Sequence, residues 1–444
     1  MIPRHFDPYL KTVAFVVIMT IARPAKGQFL MDMVDTTTEL GKGMLDIYKK
    51  FNYVRMSGYI QPQFQVASEP GIKSFSGGDF STYSNNRFML RRGRIRVDYV
   101  RFDDARNPKL QFVFQFDGTE RGVFIRDFWG RFWENKWKVF AFTTGMFARP
   151  FGYEVNLSSA DRESPERGRM SQTLMRTERD IGAMVSFEPR NRKGLLRFVK
   201  ADIGLFNGQG LTATTDFDGF KDVIGQFYWK PMPLNKHLKI SGGVGMVLGK
   251  IRQFTTSTYR LQESGGIYRF IADSVTSRPG DPLPRKYFGG NLQLKWSHGW
   301  GATELRGEYW SGTQTALEST SETPGTISSV PDGHLLPLYV RHFDGAFFYL
   351  LQNIVSPKHQ IGVKFEWYDP NSRVKGSDIG RPGSNLNAAD IRYTTLSFGY
   401  NHYVSENLKL MLWYELVRNE VTQLKGYTAD VSDNVLTARL QFRF

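Results

Sequence analysis

The last eleven residues, Asn434 to Phe444, read NVLTARLQFRF. Leu436, Ala438, Leu440, Phe442 and Phe444 share one parity; Val435, Thr437, Arg439, Gln441 and Arg443 share the other. Successive side chains of a strand point to opposite faces, so one face here is apolar and the other mostly polar or cationic. The edge strand of a soluble sandwich would also read this way. A chain that stops on an aromatic, however, is the mark of a strand that closes an outer-membrane barrel. Phe442 and Phe444 are then its interfacial anchors.

The two-residue period recurs along the chain. Val54, Met56, Gly58, Ile60, Pro62, Phe64 and Val66 alternate with Arg55, Ser57, Tyr59, Gln61, Gln63 and Gln65. Pro62 is awkward in such a strand and reads as a bulge. Further apolar rows are Leu110–Phe116, Leu238–Leu248, Ile361–Trp367 and Leu408–Leu416, each at every second residue. Such segments number about 16, an even count as single-chain bacterial barrels require. The fold class expected is all-β: a closed antiparallel transmembrane barrel over residues 51–444. A barrel of that size encloses water rather than a packed core. Short turns such as Asn401–Asn407 alternate with long polar connections at Glu69–Asn86, Asn156–Arg179, Asn207–Lys221, Phe254–Arg285, Ser311–Val340 and Asp369–Asp390. The long ones read as extracellular or lumen-folded loops.

The N-terminus sets the compartment. Arg4 and Lys11 precede the apolar run Thr12–Ala22, and Ala25 and Gly27 supply small residues for cleavage after Gly27. Residues 1–27 read as a signal peptide, and 28–50 as a periplasmic lead-in. The apolar run is shorter than the roughly 20 residues a spanning helix needs. There is no cysteine, so no disulfide holds the exported chain. The 35 Phe and 20 Tyr suit strands with alternate residues in lipid.

The formal charge is +15. No nucleic-acid motif accompanies it, and a basic lumen is a different use of the same charge. The seven histidines are scattered without HExxH spacing, and no GxSxG elbow is present. Neither metal nor cofactor nor enzymatic chemistry is expected. His402 reads as a packing or headgroup contact.

Charge concentrates in LRRGRIRVDY, Leu90–Tyr99. Gly93, Ile95, Val97 and Tyr99 take the outward parity, so Arg92, Arg94 and Arg96 stack inward, roughly 6.6–7 Å apart. Like charges in a row repel, and either a permeating anion or a carboxylate relieves them; Asp98 is the next residue on that face. Rows of Arg set anion selectivity in pores. The alternative is a wet wall whose arginines pair with neighbouring Asp and Glu. Solvated wall charges would be removable at little cost to the fold. A second cluster, Arg162, Arg167, Arg169, Arg176 and Arg179, lies in the connection 156–179 among Asp161, Glu163, Glu166 and Glu178. That connection is either a constriction folded into the lumen or an external loop, and its density of arginine favours the constriction.

Taken in order, RRGRIRVDY near Arg92, GMFARPFGYE (145–154), MRTERDIGAMV (175–185), GLFNGQG (204–210), FDGFKD (217–222), FGYNHYVSEN (398–407) and the Phe-terminated strand resemble the phosphate-selective porin O and P family of Gram-negative outer membranes, in a Bacteroidetes-like branch. The resemblance spans roughly 53–444. It implies a 16-stranded barrel, usually a homotrimer in outer-membrane lipid, with an arginine-lined lumen passing phosphate-like small anions. The basic ladder of the family carries over to Arg92, Arg94 and Arg96. Where family members often carry Lys in GxFKxPFG, this chain has Ala148 then Arg149, a shift that would reverse the facing. The reading is an outer-membrane diffusion porin with an anion-favouring lumen. Its rivals are a barrel used as a docking or assembly platform for surface or secretion proteins, and a barrel-embedded hydrolase.

Overall fold

The structure, a computed structural model, describes residues 53–190, 194–212, 215–276 and 278–444. The signal-peptide and lead-in readings fall outside them. The strands are β1 (Val54–Ala67), β2 (Asn86–Phe102), β3 (Pro108–Thr119), β4 (Gly122–Trp133), β5 (Phe140–Ala148), β6 (Arg179–Phe187), β7 (Val199–Phe206), β8 (Asp222–Pro233) and β9 (Leu238–Arg252). They continue as β10 (Thr258–Ser264), β11 (Ile267–Asp273), β12 (Pro282–His298), β13 (Gly301–Ala316), β14 (Tyr339–Ile354), β15 (Ser356–Asp369), β16 (Tyr393–Tyr403), β17 (Leu408–Asn419) and β18 (Val435–Arg443).

Among the described residues, sixteen of these strands form one closed antiparallel barrel, with β9 passing directly to β12. β10 and β11 are an added hairpin inside the connection 253–281, and β10 runs parallel to the start of β14 at Tyr259↔Tyr339. The connection read as a long polar loop at 254–285 therefore carries strand structure of its own. The segment pairs because Tyr259, Leu261, Tyr268 and Phe270 find an apolar partner in Tyr339 of β14 and in Ile379, Leu386 and Ile391 of the 370–392 connection. The boundaries of the 311–340 connection also move, since β13 runs on to Ala316.

Closure joins β1 to β18 from Tyr59↔Arg443 to Ala67↔Val435, and the Phe444 backbone exchanges hydrogen bonds with Gly58 at 3.0 and 3.2 Å. Register is the same on both sides of Pro62, with Ile60↔Phe442 and Gln63↔Arg439, so the expected bulge is absent at this pairing. Pro62 sits on the outward parity, and the lost N–H bond leaves the ladder in step. The outer wall carries the apolar rows: Ile60, Phe112, Phe114, Phe116, Phe142, Val244, Leu292, Phe348, Leu412 and Leu440 are all exposed. Phe114 and Phe128 meet edge to face at 4.8 Å on that surface.

The interior departs from the expectation of a purely aqueous lumen. A continuous apolar cluster fills part of it. Inward aromatics Phe147, Phe206, Tyr287, Trp310, Phe343, Phe347 and Trp413 pack with Phe151, Val155, Met170, Leu174 and Met175 of the connection between β5 and β6. Trp310 stacks on Phe151 at 4.0 Å and donates its indole N–H to Glu308 at 2.7 Å. Gly245 on β9 leaves room for that indole: a Cβ there would come within 2.8 Å of Trp310 Cη2. Lumen polarity and lumen packing therefore coexist, and the inserted connection decides which prevails where.

Candidate functional site: a lumen divided by an inserted loop

Residues 149–178 leave β5 and fold into the barrel, carrying helix α1 (Tyr153–Asn156) and helix α2 (Arg169–Leu174). The reading of this segment as lumen-folded fits its placement, but its anchors are chiefly its carboxylates. Glu166 meets Arg91 at 2.9 Å, Arg92 at 2.6 Å and Arg439 at 2.7 Å. Glu163 takes Arg306 through both oxygens, at 2.7 and 2.8 Å. Glu154 accepts from Lys364 Nζ at 3.0 Å, Ser171 Oγ at 2.6 Å and the Gly168 N–H at 2.9 Å.

The wall reciprocates. Glu308 accepts the Tyr153 and Glu154 N–H groups at the start of α1, at 2.9–3.1 Å. Gly152 makes this possible, because its φ of +64° suits glycine and a Cβ would collide with the Glu308 carboxylate. Lys409 donates to the carbonyls of Ala160 and Arg162, and Gln441 to that of Ala160. Ser159 is held by Tyr59 at 2.6 Å and by Arg94 at 3.0 Å. Every one of these wall groups lies on β13, β15, β17, β18, β1 or β2.

Of the three ladder arginines, Arg92 and Arg94 are buried, at 6% and 7% exposure, and Arg96 is half-buried. Each has a carboxylate partner: Arg92 has Glu166, Arg94 has Asp117 directly across on β3, and Arg96 has Asp98 at 2.7 Å. The expectation that they could be removed at little cost is corrected for Arg92 and Arg94, since stripping a buried cation from its partner leaves a charge uncompensated. Arg91 has the opposite parity to Arg92, yet it too reaches Glu166. Arg87 and Met89 also reach inward, to Gln65 and Gln63, so the facing of β2 changes between Arg91 and Arg92.

The loop arginines scatter. Arg162 is fully buried, and none of its guanidinium nitrogens has a hydrogen-bond partner among the described residues. Burial pulls its pKa down to about 9, with Arg167 and Arg92 adding to the effect, and it stays charged at neutral pH. Arg167 turns back on its own loop, pairing with Glu178 and donating to the carbonyls of Glu154 and Val155. Arg169 lies against the rings of Tyr393 and Phe75, at 3.6 and 4.4 Å. Arg176 points to the 317–338 connection, where it meets Glu322 at 3.2 Å. Arg179 is the first residue of β6 and pairs with Asp127 at 3.1 Å. The five do not form one constriction ring. Arg149 is buried, donates to the Thr177 and Gly208 carbonyls and sits 3.8 Å from Asp180, so it stitches loop bases together.

Burial would raise the pKa of Glu166 and Glu178, but clustered guanidiniums overrule it. Arg91, Arg92 and Arg439 hold Glu166 well below the usual carboxylate range, and Arg167, Arg126 and Arg179 do the same for Glu178. Sequence reasoning missed these acids as clamps. The available signal was their position in a loop opposite inward Arg439, Arg306 and Lys364, each legible from strand parity.

On the other side of the barrel the lumen stays open. A cavity of about 700 Å³ lies toward the short-turn end, which in this orientation is the periplasmic end. β2 lends it Arg94 and Arg96, and β4 lends Asp127, Trp129 and Arg131. Arg167 of the loop and Arg179 of β6 face it, as do Lys200, Asp202 and Lys230 of β7 and β8, with Arg443 at the chain end. Cations lining it outnumber carboxylates eight to two.

A closed sixteen-stranded antiparallel barrel with apolar rows outward, short turns at one end and an inserted loop is the porin type of outer-membrane barrel. Residues 337–444 match the sequence model of the phosphate-selective porin O and P family, which bears out the family resemblance over the last quarter of the chain. No curated protein matches the chain. Among solved structures, it is similar to the anion-selective porin of Comamonas acidovorans (12% identity, TM-score 0.51, 88% of this chain and 99% of that one). It is also similar to the outer-membrane channel DcaP of Acinetobacter baumannii (10%, 0.52, 88% and 97%) and to OprB of Pseudomonas putida (9%, 0.54, 92% and 98%). At these identities the likeness is one of fold. The family match over residues 337–444 and the barrel fold support an outer-membrane porin diffusion channel, a passive pore rather than an enzyme.

Proposed function

We propose that this channel favours small anions, phosphate-like ones included. The reading rests on one observation: the eight-to-two excess of Arg and Lys over Asp in the lining of the open cavity. Fixed positive charge along a narrow water-filled passage lowers the free energy of an entering anion, and several weak sites in sequence let it leave. Arg94 and Arg96 contribute at the edge of this passage, whereas Arg92 acts through the loop it holds. A homotrimer in the outer membrane, and export through a signal peptide cleaved after Gly27, complete the reading. The reversal potential across a planar bilayer under a KCl gradient tests the charge preference. Cross-linking in membranes tests the trimer, and sequencing of the mature N-terminus, expected at Gln28, tests the cleavage. The packed part of the lumen favours a second reading, a barrel serving as a docking or assembly platform. A reconstituted protein that carries no ionic current would support that reading and sink the first.

A further inference from the structure

Arg131 differs from the other arginines of the open cavity. Among the described residues no carboxylate lies within ion-pair distance of it; its one hydrogen bond is from Nε to Thr143 Oγ1 at 2.7 Å. The acids nearby are taken: Asp202 pairs with Lys200 at 3.0 Å and Glu188 with Lys230 at 2.6 Å. Instead Arg131 lies between aromatics. Its guanidinium carbon is 5.6 Å from the ring centroid of Trp129 and 5.9 Å from that of Trp133. The three residues alternate on β4 and share its inward face, which spaces them roughly 6.6–7 Å apart. Trp129 and Arg131 both line the cavity, and Arg96 stands 5.9 Å from the same Trp129 ring.

A small inorganic anion would use only the guanidinium. Two indoles beside an uncommitted arginine offer a flat apolar surface next to a charge, and the cavity has the volume of pockets that take whole organic molecules. Arginine supplies two parallel donors to a carboxylate or phosphate, while the indole faces suit an aromatic ring.

We infer that Trp129, Arg131 and Trp133 form a binding site for organic anions that carry a carboxylate or phosphate on an aromatic ring. The inference rests on the anion-favouring reading above and names the substrate class of the same passage. An anion enters the cavity, its charged group is taken by Arg131, and its ring lies against Trp129 or Trp133. The ring contact supplies what the paired arginines nearby do not, namely discrimination by body rather than by charge.

The test uses the full-length protein in planar bilayers and esters of matched charge, methyl phosphate and phenyl phosphate, added on the short-turn side. The concentration that halves the KCl current should be roughly three- to tenfold lower for phenyl phosphate, the weight of one ring contact. Trp129→Leu should lower that ratio, Trp129→Phe should keep most of it, and Arg131→Gln should weaken both esters alike. Because Trp129 also packs against the apolar cluster, Trp133→Leu is the second variant and should lower the ratio without touching that cluster. Equal block by the two esters in the wild type, with an anion-selective reversal potential retained, overturns this inference and leaves the charge preference standing. A ratio that survives both Trp129→Leu and Trp133→Leu overturns it as well, placing the ring elsewhere. A reversal potential without anion preference strikes the underlying reading instead.

Discussion

The two sides of the lumen use similar residues to opposite ends. On one side, wall cations are committed to the inserted loop: Arg306 to Glu163, Lys364 to Glu154, and Arg91, Arg92 and Arg439 together to Glu166. On the other, Arg94, Arg96, Arg131, Arg179, Lys200 and Lys230 line an open cavity, and Arg131 has no acid at ion-pair distance among the described residues. Arginine in a barrel wall therefore has no fixed meaning. What separates scaffold from selectivity element is whether a carboxylate arrives with the loop.

The largest effect is expected from Glu166→Gln. It leaves three guanidiniums facing one another with their shared partner gone, and removal of one member of a buried pair costs about 3–5 kcal/mol. The loop should detach: single-channel conductance should rise, and protease should cut within 149–178. Wild-type conductance in a well-assembled variant would show that the other anchors suffice.

Acidification should act in the same direction. Glu166 and Glu178 have depressed pKa values in the folded state, so their contribution is fully present above the ordinary carboxylate value of 4.5 and is lost as pH falls below it toward their folded values. Conductance and proteolytic nicking of the loop should be flat from pH 7 to about 5 and rise below about 4.5. A transition centred near neutrality would point to other groups.

Arg131→Gln should do the converse. It should assemble normally and keep wild-type resistance to denaturation, yet lower the chloride-to-potassium permeability ratio by up to about fivefold, the weight of one nearby charge in water of about 1 kcal/mol. The effect should fade at high salt as screening shortens its reach. Arg92→Gln should show the reverse profile, losing stability first. Smallest of all is Arg176→Gln. Its pairing with Glu322 is largely exposed and worth about 0.2–1 kcal/mol, so neither stability nor selectivity should move measurably.

Most of the barrel was legible in the sequence because the period of two leaves no choice once one face meets lipid. The parity of Leu436–Phe444 gave the closing strand, and that of Ile95, Val97 and Tyr99 put Arg92, Arg94 and Arg96 inside. Three things were not legible. The facing change between Arg91 and Arg92 needs a backbone irregularity that composition does not mark. The β10–β11 hairpin hid in a polar connection because its few aromatics find their partners only in distant loops. The loop acids were counted as charge balance, since nothing local says that Glu163 lies opposite Arg306 or that Glu166 meets Arg439. Long-range pairing across a lumen leaves no trace in spacing along the chain.

If the cation-rich lining of the open cavity sets the preference of the channel, Arg131, the lining cation with no carboxylate at ion-pair distance among the described residues, should weigh most in it. The reversal potential of the wild-type protein under a KCl gradient at low salt tests it most directly. The expected sign is that of chloride crossing faster than potassium, with a reduced value in Arg131→Gln. A potential near zero, or of the sign for potassium, would contradict it.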